Sequence, residues 1–372
     1  MEKDQLVKGS LILTITNDCN LCCEYCYQGR KRSNVMSLNT AKKILSRHLN
    51  DVEKFSSMNI VLFGGEPFLC FERVREICEW TWAQKWSIPY IFNFSTNGTL
   101  LNENAKGWLV QNSHRILLTL SADGDRDSQN INRCNSFDMI DFDFFIKNWP
   151  KAFVKMTVSQ KTLANMASNI IFFHQLGFDF AECNLAVGIN WQSEENEEIL
   201  KRELNKLVEY YAQNSDITPA PIINLDLWKC SSPKRREKCC GIGESVLMYD
   251  CDGKSYPCNF ITPMTFDEEN LEKLLAVDYT DVDQIIDEKC YDECYYFPIC
   301  PTCYGGDYAI NQKIKMKNYS LCRLVKIRAY YSALLKAARI KNQWHNREMS
   351  MEEKIKIRLE IQSIQHIVRE VC

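Results

Sequence analysis

Between residues 11 and 187 the chain alternates short apolar or β-branched runs with longer amphipathic stretches. Six runs have the length and composition of strands: 11–16 (LILTIT), 59–65 (NIVLFGG), 90–97 (YIFNFSTN), 115–122 (RILLTLSA), 152–159 (AFVKMTVS) and 180–187 (FAECNLAV). The stretches 40–49, 71–86, 102–111, 137–149 and 165–177 carry helical spacing, and the intervals are long enough for right-handed parallel crossovers. The pattern predicts an α/β fold, a partial (β/α)6 TIM-like barrel whose open side admits a substrate larger than a metabolite. Ligand chemistry is expected at the carboxyl ends of the strands. Residues 19–27, 64–67, 95–98 and 121–124 all fall there.

Beyond the barrel, the Glu-rich stretch 191–213 predicts a solvated helix. Residues 230–322 hold ten cysteines, many turn residues and little periodicity, as in a small module organised by metal centres rather than by a large apolar core. Helical spacing resumes at 325–340 and 351–371, with basic and apolar faces suited to a cover, a partner surface or a charged exterior. The expected regions are a barrel over 8–215, a cysteine-rich domain over 228–325 and a helical extension over 326–372.

Composition sharpens the chemistry. A net charge of −3, from 45 Lys and Arg against 48 Asp and Glu, gives no global field for nucleic acid or an anionic membrane. No apolar run has the length of a spanning helix or a signal peptide, so neither nucleic acid nor membrane is an expected partner and a cytoplasmic location is expected. The outlier is cysteine, 19 residues in a chain of 372 that is too large to need crosslinks for stability.

Directly after the first strand, CNLCCEYC places Cys19, Cys22, Cys23 and Cys26 in eight residues. Adjacent Cys22 and Cys23 point awkwardly for one centre, which leaves Cys19, Cys23 and Cys26 as C-x3-C-x2-C; thiolates in this number suit zinc or iron-sulfur alike. With the aromatic Tyr25 before the last cysteine, the loop resembles that of radical S-adenosylmethionine enzymes. The resemblance implies a [4Fe-4S] cluster on Cys19, Cys23 and Cys26, with S-adenosylmethionine on the fourth iron. Cys22 is then a buried or tolerated thiol. GGEP at Gly64, Gly65, Glu66 and Pro67 resembles the family's methionine-amino-group site. STNG, with Ser95 and Asn97, and SADG, with Ser121 and Asp123, resemble the loops that meet the sugar and methionyl portions, with turn satisfaction as the alternative. Arg133 resembles the arginine that pairs with the cofactor carboxylate, with a surface salt bridge as its alternative.

In the second cysteine region, Gly253 permits a hairpin-like turn in YDCDGKSYPC, and cysteines stand at 240, 258, 290, 294, 300, 303 and 322. This arrangement resembles the SPASM extension of peptide- and protein-modifying radical S-adenosylmethionine enzymes, so the resemblance spans about residues 8–330. It implies two auxiliary [4Fe-4S] clusters, three in all: a distal one on Cys290, Cys294, Cys300 and Cys322, and a nearer one using Cys240, Cys258 and Cys303. Cys230, Cys239 or Cys251 supplies the remaining ligand, unless one iron stays open to substrate, and Cys230 is preferred because adjacent cysteines diverge. The compact quartet departs from the family, reading C-x3-C-x5-C-x2-C where C-x2-C-x5-C-x3-C is usual.

The anaerobic sulfatase-maturing branch carries YPCDF, whose aspartate is a candidate base for formylglycine formation. This chain reads SYPCNF, and the amide of Asn259 cannot readily take a proton. The expected function is therefore that of a peptide maturase that abstracts hydrogen from a ribosomally made precursor peptide to form a carbon-carbon or thioether crosslink, with electrons from flavodoxin or ferredoxin. Formylglycine generation, epimerisation and a non-enzymatic electron carrier or peptide scaffold are the alternatives.

Overall fold

The computed structural model describes residues 6–149, 151–343 and 350–371; Cys372 lies outside them. Nine strands form one sheet: β1 (Val7–Asn17), β2 (Arg32–Val35), β3 (Phe55–Gly64), β4 (Tyr90–Thr96), β5 (Ile116–Ser121), β6 (Ala152–Val158), β7 (Phe178–Leu185), β8 (Val246–Tyr249) and β9 (Ser255–Tyr256). Their order is β7-β6-β5-β4-β3-β1-β8-β9, with β2 paired to β1. Strands β1, β3, β4, β5 and β6 run parallel, so the mixed α/β fold has the incompletely closed parallel sheet that the pattern predicts. All six expected strands are present. β8 and β9 are additions: β8 lies parallel to β1, and β9 returns antiparallel through a turn where Gly253 takes φ +84°, a conformation that favours glycine.

The chain divides into two compact units. The first holds Met1–Ala122, Arg133–Lys155 and Gly241–Asp281; the second holds Asp123–Asn132, Met156–Cys240 and Val282–Cys372. In the first, β1 is a central strand buried on both faces, with Leu11, Leu13 and Ile15 wholly inaccessible and Thr14 and Thr16 nearly so. Flanking helices begin at side-chain caps: Ser37 accepts from the Thr40 N–H at the start of Leu38–His48, and Asn102 from the Ala105 N–H at the start of Glu103–Gln111. The expected region boundaries follow chemistry along the chain, whereas this division follows packing, and 241–281 joins the first unit through β8.

In the second unit, the Glu-rich stretch forms helix Glu194–Gln213, which buries Leu200, Leu204, Leu207 and Tyr211 and is solvated on its other face. Its Glu203 is also buried and accepts the Ala167 N–H at 3.1 Å, satisfying an orphan donor of helix Met166–Leu176. Helices Cys322–Gln343 and Met351–Val371 are part of the core here: Val325, Ala329, Ala333 and Ile367 pack with Leu227 and Tyr296.

Candidate iron-sulfur and cofactor site

The first cysteine loop leaves β1 under tight backbone control. Asn17 Nδ2 donates to Asp250 Oδ1 at 2.9 Å, and Asp18 Oδ1 accepts the Cys19 N–H at 2.9 Å. Cys19 and Cys23 are half-buried and Cys26 is exposed. Burial pushes the Cys19 thiol up, opposed by the Leu21 N–H aimed at its sulfur from 3.4 Å and by the charge of Lys31. Lys31 Nζ also donates to the Leu21 carbonyl, fixing the loop from outside. β3 ends against this loop. The Gly65 N–H donates to Thr16 O at 3.0 Å and the Glu66 N–H to Asp18 O at 2.9 Å; a Cβ at Gly65 would lie 2.2 Å from Asp18 O, so only glycine permits the approach. Gly64, with φ +154°, is excluded from carrying a side chain in the same way.

Glu66 is the most constrained acid of this unit. Its Oε1 accepts from the Thr96 hydroxyl at 2.9 Å and the Phe68 N–H at 3.1 Å, and its Oε2 accepts the Asn97 N–H at 2.7 Å. Burial drives its pKa up to about 7, against these donors and the charge of Arg133. GGEP and STNG are thereby one hydrogen-bonded constellation. Thr96 was not singled out from sequence, although it sits inside STNG. Asn97 also donates to Asn20 Oδ1 at 3.0 Å, and Ser95 Oγ is buried with no hydrogen-bond partner among the described residues.

Ser121 ends β5, in register with Lys155. Asp123 belongs to the second unit and is fully engaged there, accepting from the Thr157 N–H at 2.9 Å and Asn132 Nδ2 at 3.2 Å. Arg133 is buried, lies over the Tyr25 ring at 5.6 Å and is within electrostatic reach of Glu66, which sets aside a surface salt bridge. The neighbouring Cys134 forms a disulfide with Cys22. Cys22 is thus a tether and not a merely tolerated thiol, a pairing across 112 residues that no local spacing announces.

The extension cysteines fall in both units. In the first, Cys258 is half-buried and its thiol is pushed up by burial. Asn259 Nδ2 donates to Tyr27 Oη at 2.7 Å, and Tyr27 stacks on Phe260 at 4.4 Å. Cys251 is buried under β1, with its sulfur donating to Thr14 O at 3.3 Å. In the second unit, Cys290 and Cys300 line a cavity of 670 Å3, and Cys294 and Cys322 lie within electrostatic reach of Cys300. Cys230 is pushed up to about 12 by burial and interacts with Cys294. Cys239 lies next to Cys240, with its sulfur donating to Thr302 O at 2.7 Å and accepting the Thr302 N–H at 3.2 Å. Cys239, Cys240 and Cys303 line a second cavity of 260 Å3, together with Asp307 and Arg328. Among the described residues, no three His, Cys, Asp or Glu side chains converge on a single-ion position.

Residues 8–127 match the family model of a 4Fe-4S single cluster domain. The chain is 25% identical to the cysteine-type anaerobic sulfatase-maturating enzyme of Clostridium novyi, over 84% of this chain and 86% of that one. It is 36% identical to an uncharacterized protein of Methanocaldococcus jannaschii over 25% of the chain, a match that spans 32% of that protein's length. In fold it is similar to anSMEcpe solved with AdoMet and the Kp18Cys peptide (TM-score 0.68, 18% identity, 89% of this chain and 99% of that one). It is also similar to Streptococcus suis SuiB bound to its precursor peptide SuiA (TM-score 0.57, 13% identity, 84% and 75%). No helix among the described residues is long and apolar enough to cross a membrane. The open three-cysteine loop at the end of β1, braced by the GGEP turn, thus lies within the stretch that matches a 4Fe-4S single cluster domain, on a chain similar in sequence and in fold to anaerobic sulfatase-maturating enzymes.

Proposed function

We propose that the enzyme oxidises a cysteine- or serine-bearing peptide to formylglycine, as in the sulfatase-maturing branch it resembles. The observation that carries this reading is the similarity to a sulfatase-maturating enzyme over 84% of the chain. It displaces peptide crosslinking as the first reading. Crosslinking of a ribosomally made precursor, through a carbon-carbon or thioether bond, is the second, and Asn259 is the observation that favours it: its amide donates to Tyr27 and has no basic atom with which to take a substrate proton.

The residues suit the cofactors. Cys19, Cys23 and Cys26 supply three soft donors and leave a fourth position open, while Gly64 and Gly65 let backbone approach without side-chain obstruction. Ser95 offers a buried hydroxyl that no group among the described residues satisfies. When bound together, the cluster and S-adenosylmethionine supply a one-electron cleavage that generates a hydrogen-abstracting carbon radical. Glu66, held by three donors, would hold the methionyl amine, and Arg133, over the Tyr25 ring, would hold the carboxylate. Ser95, Asn97 and Ser121 border the remainder. From a cysteine substrate, the β-carbon loses a hydrogen atom, the thiol a proton, and one further electron passes to an acceptor; water then replaces sulfur at that carbon and hydrogen sulfide leaves.

The auxiliary clusters are the proposed electron acceptors, with flavodoxin or ferredoxin as the external donor. Cys290, Cys294, Cys300 and Cys322 hold the distal cluster. For the nearer cluster, sequence spacing nominates Cys240, Cys258 and Cys303; the contact of Cys239 with Thr302, beside Cys303, favours Cys239 over Cys230 as the further ligand. Three clusters amount to about 12 irons per chain. Anaerobic reaction with a cysteine peptide drawn from a sulfatase, followed by tandem mass spectrometry, tests the proposal. Exchange of the thiol sulfur for an aldehyde oxygen is the expected product. Loss of two hydrogens with the sulfur retained, in a peptide encoded beside the enzyme, would transfer the assignment to crosslinking.

A further inference from the structure

The second unit buries an ammonium group that the proposed reaction does not use. Lys317 is 7% exposed, and its Nζ lies 2.8 Å from Cys300 Sγ. The surrounding backbone is anchored from several directions. The Lys317 N–H donates to Asp287 Oδ2 at 3.1 Å, its carbonyl accepts Asn311 Nδ2 at 2.7 Å, and Asn318 Nδ2 donates to Ile189 O at 3.1 Å. Asp287 in turn accepts the Cys290 N–H at 3.2 Å and the Tyr319 hydroxyl at 2.8 Å. One carboxylate therefore fixes the segment bearing Lys317 relative to the helix bearing Cys290.

Burying an ammonium is costly unless an anion compensates it. A neutral thiol is a weak acceptor and gives little return. Asp307 lines the same cavity and compensates part of this charge, but the group in direct contact with the ammonium is the Cys300 sulfur. A thiolate bound to iron is anionic and places a compensating charge at hydrogen-bond distance from the ammonium. Each one-electron reduction of such a cluster adds negative charge, and a cation in contact with a ligand sulfur stabilises the reduced form.

We infer that Lys317 donates a charge-assisted hydrogen bond to the Cys300 sulfur of the distal auxiliary cluster and thereby raises that cluster's reduction potential. The inference rests on the auxiliary-cluster reading above. Lys317 acts through the cluster and is a positioning residue. A raised potential makes the cluster a better acceptor for the electron removed from substrate.

The test uses the full chain with Cys19, Cys23 and Cys26 changed to Ala, so that only auxiliary clusters are reconstituted, and follows iron content and EPR-monitored redox titration. Lys317→Met is expected to shift the reduced-to-oxidised equilibrium of one cluster at least tenfold towards oxidised, about 59 mV for one electron, while Lys317→Arg stays close to the parent. An unchanged potential in a Met variant of full iron content overturns the inference and leaves the auxiliary-cluster reading standing. Absence of any [4Fe-4S] signal in the Cys-to-Ala parent overturns both. If the Met variant loses iron, the parent decides: with lysine side-chain 15N labelling, a nitrogen hyperfine coupling to the reduced cluster supports the contact, and its absence overturns it.

Discussion

Glu66 combines full burial with three hydrogen-bond donors, and burial prevails, holding the carboxyl near 7 where an exposed glutamate titrates at 4.5. The unfolded chain gives up this proton first, so stability falls as pH rises from 4.5 and levels off above 7. The difference corresponds to about 3 kcal/mol. In the protein without cofactor, urea titrations across this range are expected to show that loss, and Glu66→Gln is expected to remove that part of the slope. An identical slope in the variant would mean that Glu66 is ionised throughout. Asn259 poses the other residue-scale question. Supplying a base in the right place is worth on the order of 100-fold, so Asn259→Asp is expected to raise formylglycine yield by that order if a base is what the site lacks. Product quantification settles it; an unchanged yield would place the base elsewhere.

At the scale of elements, the legible parts were those encoded locally. Six strands show as runs of strand length, and helices such as Leu38–His48 show as amphipathic stretches. β8 and β9, with four and two residues, are too short to carry a period, and only the glycine of their turn stood out. The constellation around Glu66 was half-visible: both loops were identified, but the hydrogen bonds joining them arise from parallel pairing of β3 with β4. The Cys22–Cys134 tether was invisible because its halves lie in loops far apart in sequence. Closing so long a loop stabilises by on the order of 4 to 5 kcal/mol in the chain-entropy account. Cys134→Ser is expected to lower the unfolding free energy by up to that amount, and thiol reductant to bring the parent to the same value. A parent insensitive to reductant would contradict the tether.

For the molecule as a whole, spacing conveyed chemistry better than it conveyed partnership. C-x3-C-x2-C and GGEP carried the resemblance to radical S-adenosylmethionine enzymes because both motifs are local, each within a single loop. The proposed preference for Cys239 over Cys230 and Cys251 rests on packing that sequence does not display: Cys251 is covered by β1, Cys230 is within electrostatic reach of Cys294, and Cys239 meets Thr302. The buried charge of Lys317 was equally hidden, since a lysine in a polar loop reads as solvated. The central claim is that Cys19, Cys23 and Cys26 support reductive cleavage of S-adenosylmethionine. Anaerobically reconstituted protein, supplied with a low-potential reductant and assayed by liquid chromatography for 5'-deoxyadenosine, tests it most directly. Multiple turnovers in the parent and none in Cys23→Ala are the predicted result; no 5'-deoxyadenosine from a parent with intact, reducible clusters would contradict the account.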